Sequence, residues 1–302
     1  MKKNLFLSLV VSALCFGAVQ AAAQTATQTT ATQMTASTTL PKVMWLYHET
    51  VKPAKGTEHA KVEQGFARLW AKAQVQPFLG LESLSSTNET LFVSGYDSFA
   101  SFETDYQVFM KTSSGSMQTE FNALERQEAD VISNIRSAVA VLRDDISYKA
   151  DGFMQGLPQA RYLEIMTMRL APGKEEQFAE VAKFYRDAFQ KGDWDAPFAI
   201  YRIMFGAPEG TYLVVVPMKS LKTMDEAMVT HPRLLQAMGE DNMKRIMKTA
   251  AEIVTYSETN LYAFNPKISN VSAEFAAADP QFWGLKPVMA KPAAGARASS
   301  KK

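Results

Sequence analysis

Two long stretches of the chain carry strand-like and helix-like hydrophobic patterns in the same order. The first begins near Lys42, where VMWLYHETV is rich in the aromatic and branched residues that strands favour. A turn containing proline and glycine follows, and then Val62, Phe66 and Leu69 recur at helical spacing. Two strands, a helix capped by Ser98, a longer helix and a last strand complete this stretch.

The second stretch shows the same order from Arg161 onward. RYLEIMTMRL predicts a strand, Ala-Pro-Gly a turn, and Phe178, Val181 and Phe189 lie on one helical stripe. Short matches agree with the order, since Gly56-Thr57-Glu58 aligns with Gly173-Lys174-Glu175. The last elements are predicted as a helix over 117–136 and a strand over 138–143, then a short helix over 219–228, a longer one over 231–255 and a strand over 260–264. We therefore predict an internal repeat with units at 41–148 and 159–266.

The repeated order, strand-helix-strand-strand-helix-strand, is that of a ferredoxin-like unit. Such a unit has helices on one face of its sheet and leaves the other face bare. Two copies in one chain can cover these bare faces by packing together or by closing into a shared barrel. The predicted fold class is α+β, with two tandem ferredoxin-like repeats of the dimeric α/β barrel type that form an intramolecular barrel.

The two ends of the chain have a different composition. Residues 1–23 combine Lys2 and Lys3, an apolar run of about 15 residues, and Ala21 and Ala23 before a cleavage point, which predicts a signal peptide. An uncleaved anchor is the alternative, but the apolar run is short for a membrane span. Residues 24–40 predict a disordered linker. Residues 267–302 predict a C-terminal extension that is mostly disordered, from about Val288, and whose first part Phe275, Phe282 and Trp283 could pack back on the domain. We expect a secreted or periplasmic protein with no membrane span after cleavage.

Composition excludes several classes of function. Lys+Arg 32 against Asp+Glu 31 leaves no basic excess for nucleic acid. The single cysteine, Cys15, lies in the predicted signal, so the mature chain would have no disulfide and no thiolate nucleophile. The 16 methionines favour adaptable core packing, with a soft-metal site as the alternative.

The segment EIMTMRLAPGK, from Glu164 to Lys174, resembles the opening of NIPSNAP-type domains in the dimeric α/β barrel superfamily. Glu164 and Pro172-Gly173-Lys174 match that opening, whereas Met166 and Met168 stand where the family has Arg and Tyr. The dimeric α/β barrel superfamily includes cofactor-free monooxygenases, haem-degrading and haem-binding proteins, and domains without an assigned activity. The resemblance therefore implies a fold and leaves the activity open.

Strand alternation suggests a candidate ligand site. Trp45 and Tyr47 lie on one face of the first strand, and Leu46 and His48 on the other. We expect the mixed aromatic and acidic face to line the barrel interior. The candidates for a small aromatic or apolar ligand are Trp45, Tyr47, Tyr162, Glu164 and Arg202. In the alternative, these residues fill the interface between the repeats and Glu164 pairs with an arginine.

The candidates for chemistry are few. His48 and Glu164 are the catalytic candidates, although His48 also suits a structural role. His59 lies in the first turn of a helix and is expected to be solvated. His231 is a candidate for a haem ligand, because the superfamily's haem proteins take a histidine from their helical region. The candidate is weak, because Thr-His-Pro is also typical of an ordinary helix start. No HxxxH, HxH or DxDxD spacing occurs, so neither a metal site nor a cofactor is expected.

These observations favour a small-molecule binding or structural module over an enzyme. A cofactor-independent monooxygenase that uses His48 or Glu164 is the alternative, and a haem-binding protein is a weaker one. A homo-oligomer is possible, since tandem barrels can still pair.

Overall fold

The computed structural model describes residues 39–86 and 88–284, apart from the side chains of Thr230, His231 and Ala237. The described strands are β1 (Val43–Val51), β2 (Phe78–Ser83), β3 (Glu89–Tyr96), β4 (Ile132–Leu142), β5 (Tyr162–Leu170), β6 (Ala199–Phe205), β7 (Thr211–Met218) and β8 (Val254–Phe264). The described helices are α1 (Gly56–Ala73), α2 (Phe99–Ser114), α3 (Gln118–Val131), α4 (Ala150–Gly156), α5 (Glu175–Lys191), α6 (Lys222–Met238), α7 (Glu240–Ile253), α8 (Ala273–Ala277) and α9 (Pro280–Trp283). Two 3-10 turns lie at Asp144–Ile146 and Leu157–Gln159.

The strands form one closed antiparallel barrel in the order β1-β3-β2-β8-β5-β7-β6-β4. Strands β1 to β4 form one half and β5 to β8 the other, joined where β2 pairs with β8 and β4 with β6. Because β1 and β5 stand four places apart in a ring of eight, they lie on opposite sides of the barrel. The fold is thus α+β with an eight-stranded antiparallel barrel.

Side chains fill the interior of the barrel. Aliphatic residues from both halves meet there, among them Leu46, Leu81 and Leu91 from one half and Leu163 and Ile165 from the other. Larger rings complete the filling: Tyr201, Tyr262 and Phe264. A barrel of eight strands is about wide enough to be filled in this way. The interior is therefore a packed core.

The C-terminal extension covers one end of the barrel. Its short helices α8 and α9 bring Phe275, Phe282 and Trp283 onto the barrel core. The indole Nε1 of Trp283 donates a hydrogen bond to the carbonyl oxygen of Pro158 over 2.9 Å. The expectation that these three rings pack the first part of the extension back on the domain is confirmed. The predicted signal, most of the linker and residues 285–302 lie outside the described residues.

The helices pack on the outer face of the barrel with different cores in the two halves. Outside β5 to β8 lies a large apolar cluster built around Phe178, Tyr185, Phe189 and Phe198. Outside β1 to β4 the buried apolar cluster is smaller and consists of Val62, Phe66, Leu69, Phe121 and Val131. No described helix is long and apolar enough to cross a membrane.

The predicted boundaries fail at equivalent places in the two halves. The first long helix ends at Val131, and β4 begins at Ile132, where the sequence predicts helix as far as residue 136. Likewise, β8 begins at Val254, inside the helix predicted over 231–255. Each strand pairs along its whole length with a central strand, and this pairing overrides the helical spacing of the apolar residues. The second helical region also breaks at Gly239, with a φ of 80°, rather than before Pro232.

The turns that lead into α1 and α5 have the same geometry. Ala54 has a φ of 63° and Gly173 a φ of 73°, and the next residue, Lys55 or Lys174, precedes the helix with nearly identical angles. The equivalent of Gly173 is therefore Ala54, an offset of 119 residues (173 − 54), and the sequence match of Gly56 with Gly173 is wrong. The first turn thus places an alanine in the left-handed region, which costs about 1 kcal/mol relative to glycine.

Ala54→Gly should stabilise the protein by about 0.5 to 1 kcal/mol, because glycine adopts this backbone conformation without strain. Gly173→Ala should destabilise it by about 1 kcal/mol through backbone strain alone, since nothing lies within 4 Å of an added Cβ. Urea unfolding of the full chain measures both values. Shifts of the same sign in the two variants would contradict the equivalence of the turns.

Candidate functional site

The two faces of β1 point in the directions opposite to those predicted from the sequence. Met44 and Leu46 point into the barrel core, whereas Trp45 packs against Phe102 and Phe109 of α2. Tyr47 follows Trp45 on this helix-facing side. The interior assignment is wrong because a shift of one residue inverts both faces of a strand, and the barrel takes the aliphatic set. The candidate ligand residues of β1 therefore lie between the sheet and the helices.

The other ligand candidates lie on a different side of the barrel. Glu164, 2% exposed, shares the helix-facing side of β5 with Met166, which belongs to the second-half core. Tyr162 has the same parity on β5. Arg202 pairs with Tyr212 of β7 and also faces the helices. Since β1 and β5 are on opposite sides, the structure does not bring Tyr162, Glu164 and Arg202 together with Trp45 and Tyr47.

His48 lies on the barrel-facing side of β1, near the end where β3 begins. Its Nδ1 is 2.8 Å from Oε1 of Glu89, and Arg136 Nη2 is 3.5 Å from the same oxygen. The hydrogen bond from His48 lowers the pKa of Glu89, with a smaller contribution from the positive charge of Arg136. Tyr262 also interacts with Glu89. His48 is thus held in a paired cluster of charges, and a structural role accounts for it.

A second histidine is buried, contrary to prediction. His59 of α1 is 4% exposed, and its Nε2 lies 2.7 Å from Oε2 of Glu49 on β1. One helical turn further, Glu63 places Oε1 at 3.8 Å from the same nitrogen. His59 was expected to be solvated, but the face of α1 that carries it packs on the sheet. The three residues form a buried acidic and imidazole group, called the Glu49–His59–Glu63 centre below.

Burial and mutual repulsion perturb the carboxyl groups of this centre. Removal from water, together with the charges of Glu49 and Glu128, holds the pKa of Glu63 well above its ordinary value. Burial, the charge of Glu49 and a hydrogen bond to Glu49 raise the pKa of Glu128, on α3, to about 8. Burial, with these carboxylates nearby, also raises the pKa of Tyr47. The centre therefore favours added positive charge.

Half-buried aromatic rings stand next to the centre on the helix-facing side of the first half. The centroid of Trp45 lies 5.7 Å from that of Phe102 and 6.3 Å from that of Phe109, and Trp70 of α1 stacks on Phe109 at 4.8 Å. Thr112 is the one side chain of α2 that is buried. We call this set the aromatic wall: Trp45, Tyr47, Trp70, Phe102 and Phe109.

The second half holds apolar residues where the first has the centre. The offset of 119 places Met168, Phe178 and Ala182 at the positions of Glu49, His59 and Glu63, and all three lie in the second-half core. The offset near the last strand is 122 (253 − 131), from equivalent bonds of Lys52 to Val131 and Ala171 to Ile253. It places the fully buried Ala250 at the position of Glu128. The same fold is thus built without these polar groups.

The sequence contains one signal for the centre that the prediction missed. His59 and Glu63 are four residues apart on a helix, and this spacing places both side chains on one face. The motifs considered required a second histidine or two aspartates. The partner Glu49 comes from a strand, and only the fold brings it to His59. His231 lies within α6, but its side chain is outside the described part of the chain.

Comparison with known proteins gives distant structural similarity. No protein-family model matches the chain, and no curated protein matches it. A proposed monooxygenase of Lactobacillus acidophilus NCFM is 7% identical with a TM-score of 0.46, covering 74% of this chain and 94% of that one. A mutant chlorite dismutase of Candidatus Nitrospira defluvii is 8% identical with a TM-score of 0.44, covering 76% and 93%. A haem-binding protein of Thermus thermophilus is 12% identical with a TM-score of 0.42, covering 82% and 97%.

Similarity at this level leaves the function to be argued from the side chains of this chain. The side chains point to the space between the sheet and the helices of the first half. There the aromatic wall and the Glu49–His59–Glu63 centre adjoin, since Tyr47 belongs to one and interacts with the other.

The paired Glu89 should make stability depend on acid pH. Because its folded pKa is lowered, its ionised form stabilises the fold above the ordinary pKa of about 4.5, and this stabilisation is lost as pH falls through the folded pKa. Glu89→Gln should therefore cost about 1 to 3 kcal/mol at pH 6 and progressively less in acid.

Urea unfolding between pH 3 and pH 6 measures this difference. Glu103→Gln, an exposed position on α2, serves as the control and should show no such trend. A cost of Glu89→Gln that stays constant across the range would contradict the role of its charge.

Proposed function

We propose that this protein is an exported small-molecule-binding protein whose site lies between β1 and the helices α1, α2 and α3. The observation that carries the proposal is the aromatic wall, left half-buried beside a buried polar centre. Ligand sites combine apolar and aromatic walls with a few placed polar groups, and this region has both. The ligand class that fits is a small aromatic or apolar molecule.

The form of the wall favours a flat aromatic ligand. Its rings meet edge to face or stacked, with centroids 4.8 to 6.3 Å apart, so a further ring can join in the same geometry. Tyr106 and Met110 of α2 are 46% and 48% exposed, which leaves apolar surface at the rim. The second half supports the proposal by contrast, because a large apolar core fills most of the same layer there.

We also propose that the two halves are a tandem repeat of one ferredoxin-like unit. Equivalent helix-entry turns, and irregularities of strand register at Thr50/Val51 and Arg169/Leu170, support this proposal. The NIPSNAP-like opening of the second unit rests on Glu164 and Pro172-Gly173-Lys174. In a duplicated chain, one unit can keep the packed core while the other acquires the site.

A cofactor-independent monooxygenase is the second candidate. The observation that favours it is the imidazole of His59, which Glu49 orients on the same side of the sheet as the aromatic wall. His48 and Glu164, the first catalytic candidates, lie away from that wall. Haem binding through His231 and the formation of a homo-oligomer stay predictions from the sequence.

Trp45→Leu should weaken the binding of a flat aromatic ligand by about tenfold or more, because it removes a ring from the wall. A panel of phenols, naphthols and flavonoid-type compounds is screened by thermal shift and tryptophan fluorescence. Trp194→Leu is the matched control, since Trp194 is equally half-buried but packs in the second half.

Equal effects of the two substitutions, or no binding by any compound, would contradict the proposed site. Compounds that bind are then tested for oxygen uptake. Uptake that persists in the EDTA-treated chain and is lost in His59→Gln would favour the cofactor-independent monooxygenase, and binding without uptake would favour the binding protein.

Export follows from the sequence of residues 1–23 and has its own test. Expression of the full chain in a bacterial host should give a periplasmic or secreted product whose first residue lies near Gln24. Replacing Lys2 and Lys3 by glutamate should reduce export, because the n-region needs positive charge. Mass spectrometry of the fractions measures both outcomes, and an intact cytoplasmic chain that retains Met1 would contradict export.

A further inference from the structure

We propose that Glu49, His59 and Glu63 bind a divalent transition-metal ion such as Zn²⁺ or Mn²⁺. This inference goes beyond the aromatic ligand and concerns the buried polar centre, which the proposed function uses only as a neighbour of the aromatic wall. It depends on two elements that converge: Glu49 comes from β1, and His59 and Glu63 come from α1.

The distances suit one ion held by all three inner donors. The Nε2 of His59 lies 2.7 Å from Glu49 Oε2 and 3.8 Å from Glu63 Oε1, and the three atoms lie within 4.8 Å of one another. Ligands at about 2.0 to 2.2 Å from a tetrahedral ion stand roughly 3.3 to 3.6 Å apart. Small side-chain movements therefore bring one nitrogen and two oxygens to a common ion.

An oxygen of Glu63 supplies the second, independent observation. Its Oε1 is buried and has no hydrogen-bond partner among the described residues, although it points toward His59. A buried carboxyl oxygen without a partner has lost its hydration and has no hydrogen bond in exchange, which is unfavourable. A cation between Glu63, His59 and Glu49 would remove that deficit.

A purely structural role does not explain the centre. The equivalent positions of the second half hold Met168, Phe178 and Ala182, which pack without any buried charge. The fold therefore needs neither the imidazole nor the carboxylates. A polar group that the fold does not need, and that keeps an unsatisfied oxygen, is better explained by a ligand that binds there.

The donor set selects the class of ion. An imidazole nitrogen with two or three carboxylates suits Zn²⁺, Mn²⁺ or Fe²⁺, whereas Mg²⁺ and Ca²⁺ prefer oxygen donors alone. Glu128 is less buried than the other three and interacts with Glu49.

The test uses the full mature chain stripped with EDTA. Titration calorimetry and thermal shift with Zn²⁺, Mn²⁺, Mg²⁺ and Ca²⁺ should show one transition-metal ion per chain and a raised Tm, with weaker effects of Mg²⁺ and Ca²⁺. Glu63→Gln should weaken the binding of the transition metal by more than about tenfold. The control Glu58→Gln, half-exposed in the first turn of the same helix, should bind as the unaltered chain does.

A second variant covers the case in which Glu63→Gln does not fold. The triple substitution Glu49→Met, His59→Phe and Glu63→Ala installs the second-half residues, and it should fold without binding the ion. X-ray absorption at the zinc edge of the unaltered chain should count one imidazole ligand. No stoichiometric binding, undiminished binding by folded Glu63→Gln or by the triple variant, or a shell with no imidazole or several would overturn the proposal.

The outcome is independent of the aromatic ligand. A chain that binds the metal ion but no aromatic compound would keep this inference and lose the small-molecule site. A chain that binds an aromatic compound but no metal ion would keep the small-molecule site and lose this inference.

Discussion

Closure of the barrel is the constraint on which the rest of the structure depends. The β2–β8 and β4–β6 ladders join two four-stranded sheets, and every strand then has a neighbour on both sides. Closure also determines which residues of each strand point inward, because the interior must be filled by side chains that fit a narrow barrel. Leu46 and Leu163 meet that demand, and Trp45 and Glu49 are placed under the helices as a consequence.

The outer layers are free to differ once the barrel has closed. In the second half, Phe178, Tyr185 and Phe189 form a continuous apolar core between the sheet and the helices. In the first half, that layer holds a small core around Phe66 and Leu69, which continues through Trp70 into the aromatic wall, and a group of charged side chains. The stability of the shared barrel allows one layer to be less well packed, as binding regions often are.

Much of the fold follows from hydrophobic periodicity, whereas its boundaries and faces depend on pairing. The order of elements is visible in the sequence, and so is the Ser98 cap, which the structure shows as a capping box with Ser101. The starts of β4 and β8 are not visible in the sequence, because Ile132 and Val254 continue the helical spacing of the apolar residues. Only pairing with β1 and β5 makes these residues the first of a strand. The Glu49–His59 contact joins a strand to a helix and depends on the faces of β1, which the sequence leaves open.

The polar centre in the first half lowers the stability of the packing, and this points to a role other than folding. Replacing a buried ionic group by apolar residues of similar size is often neutral or stabilising by about 1 to 4 kcal/mol. The second half has apolar residues at the corresponding places in the barrel, namely Met168, Phe178 and Ala182. The first half keeps buried polar groups and lacks this gain in stability. In addition, Glu63 Oε1 has no hydrogen-bond partner among the described residues. Residues kept against the needs of packing are expected where a ligand binds, because the ligand then supplies the missing interaction.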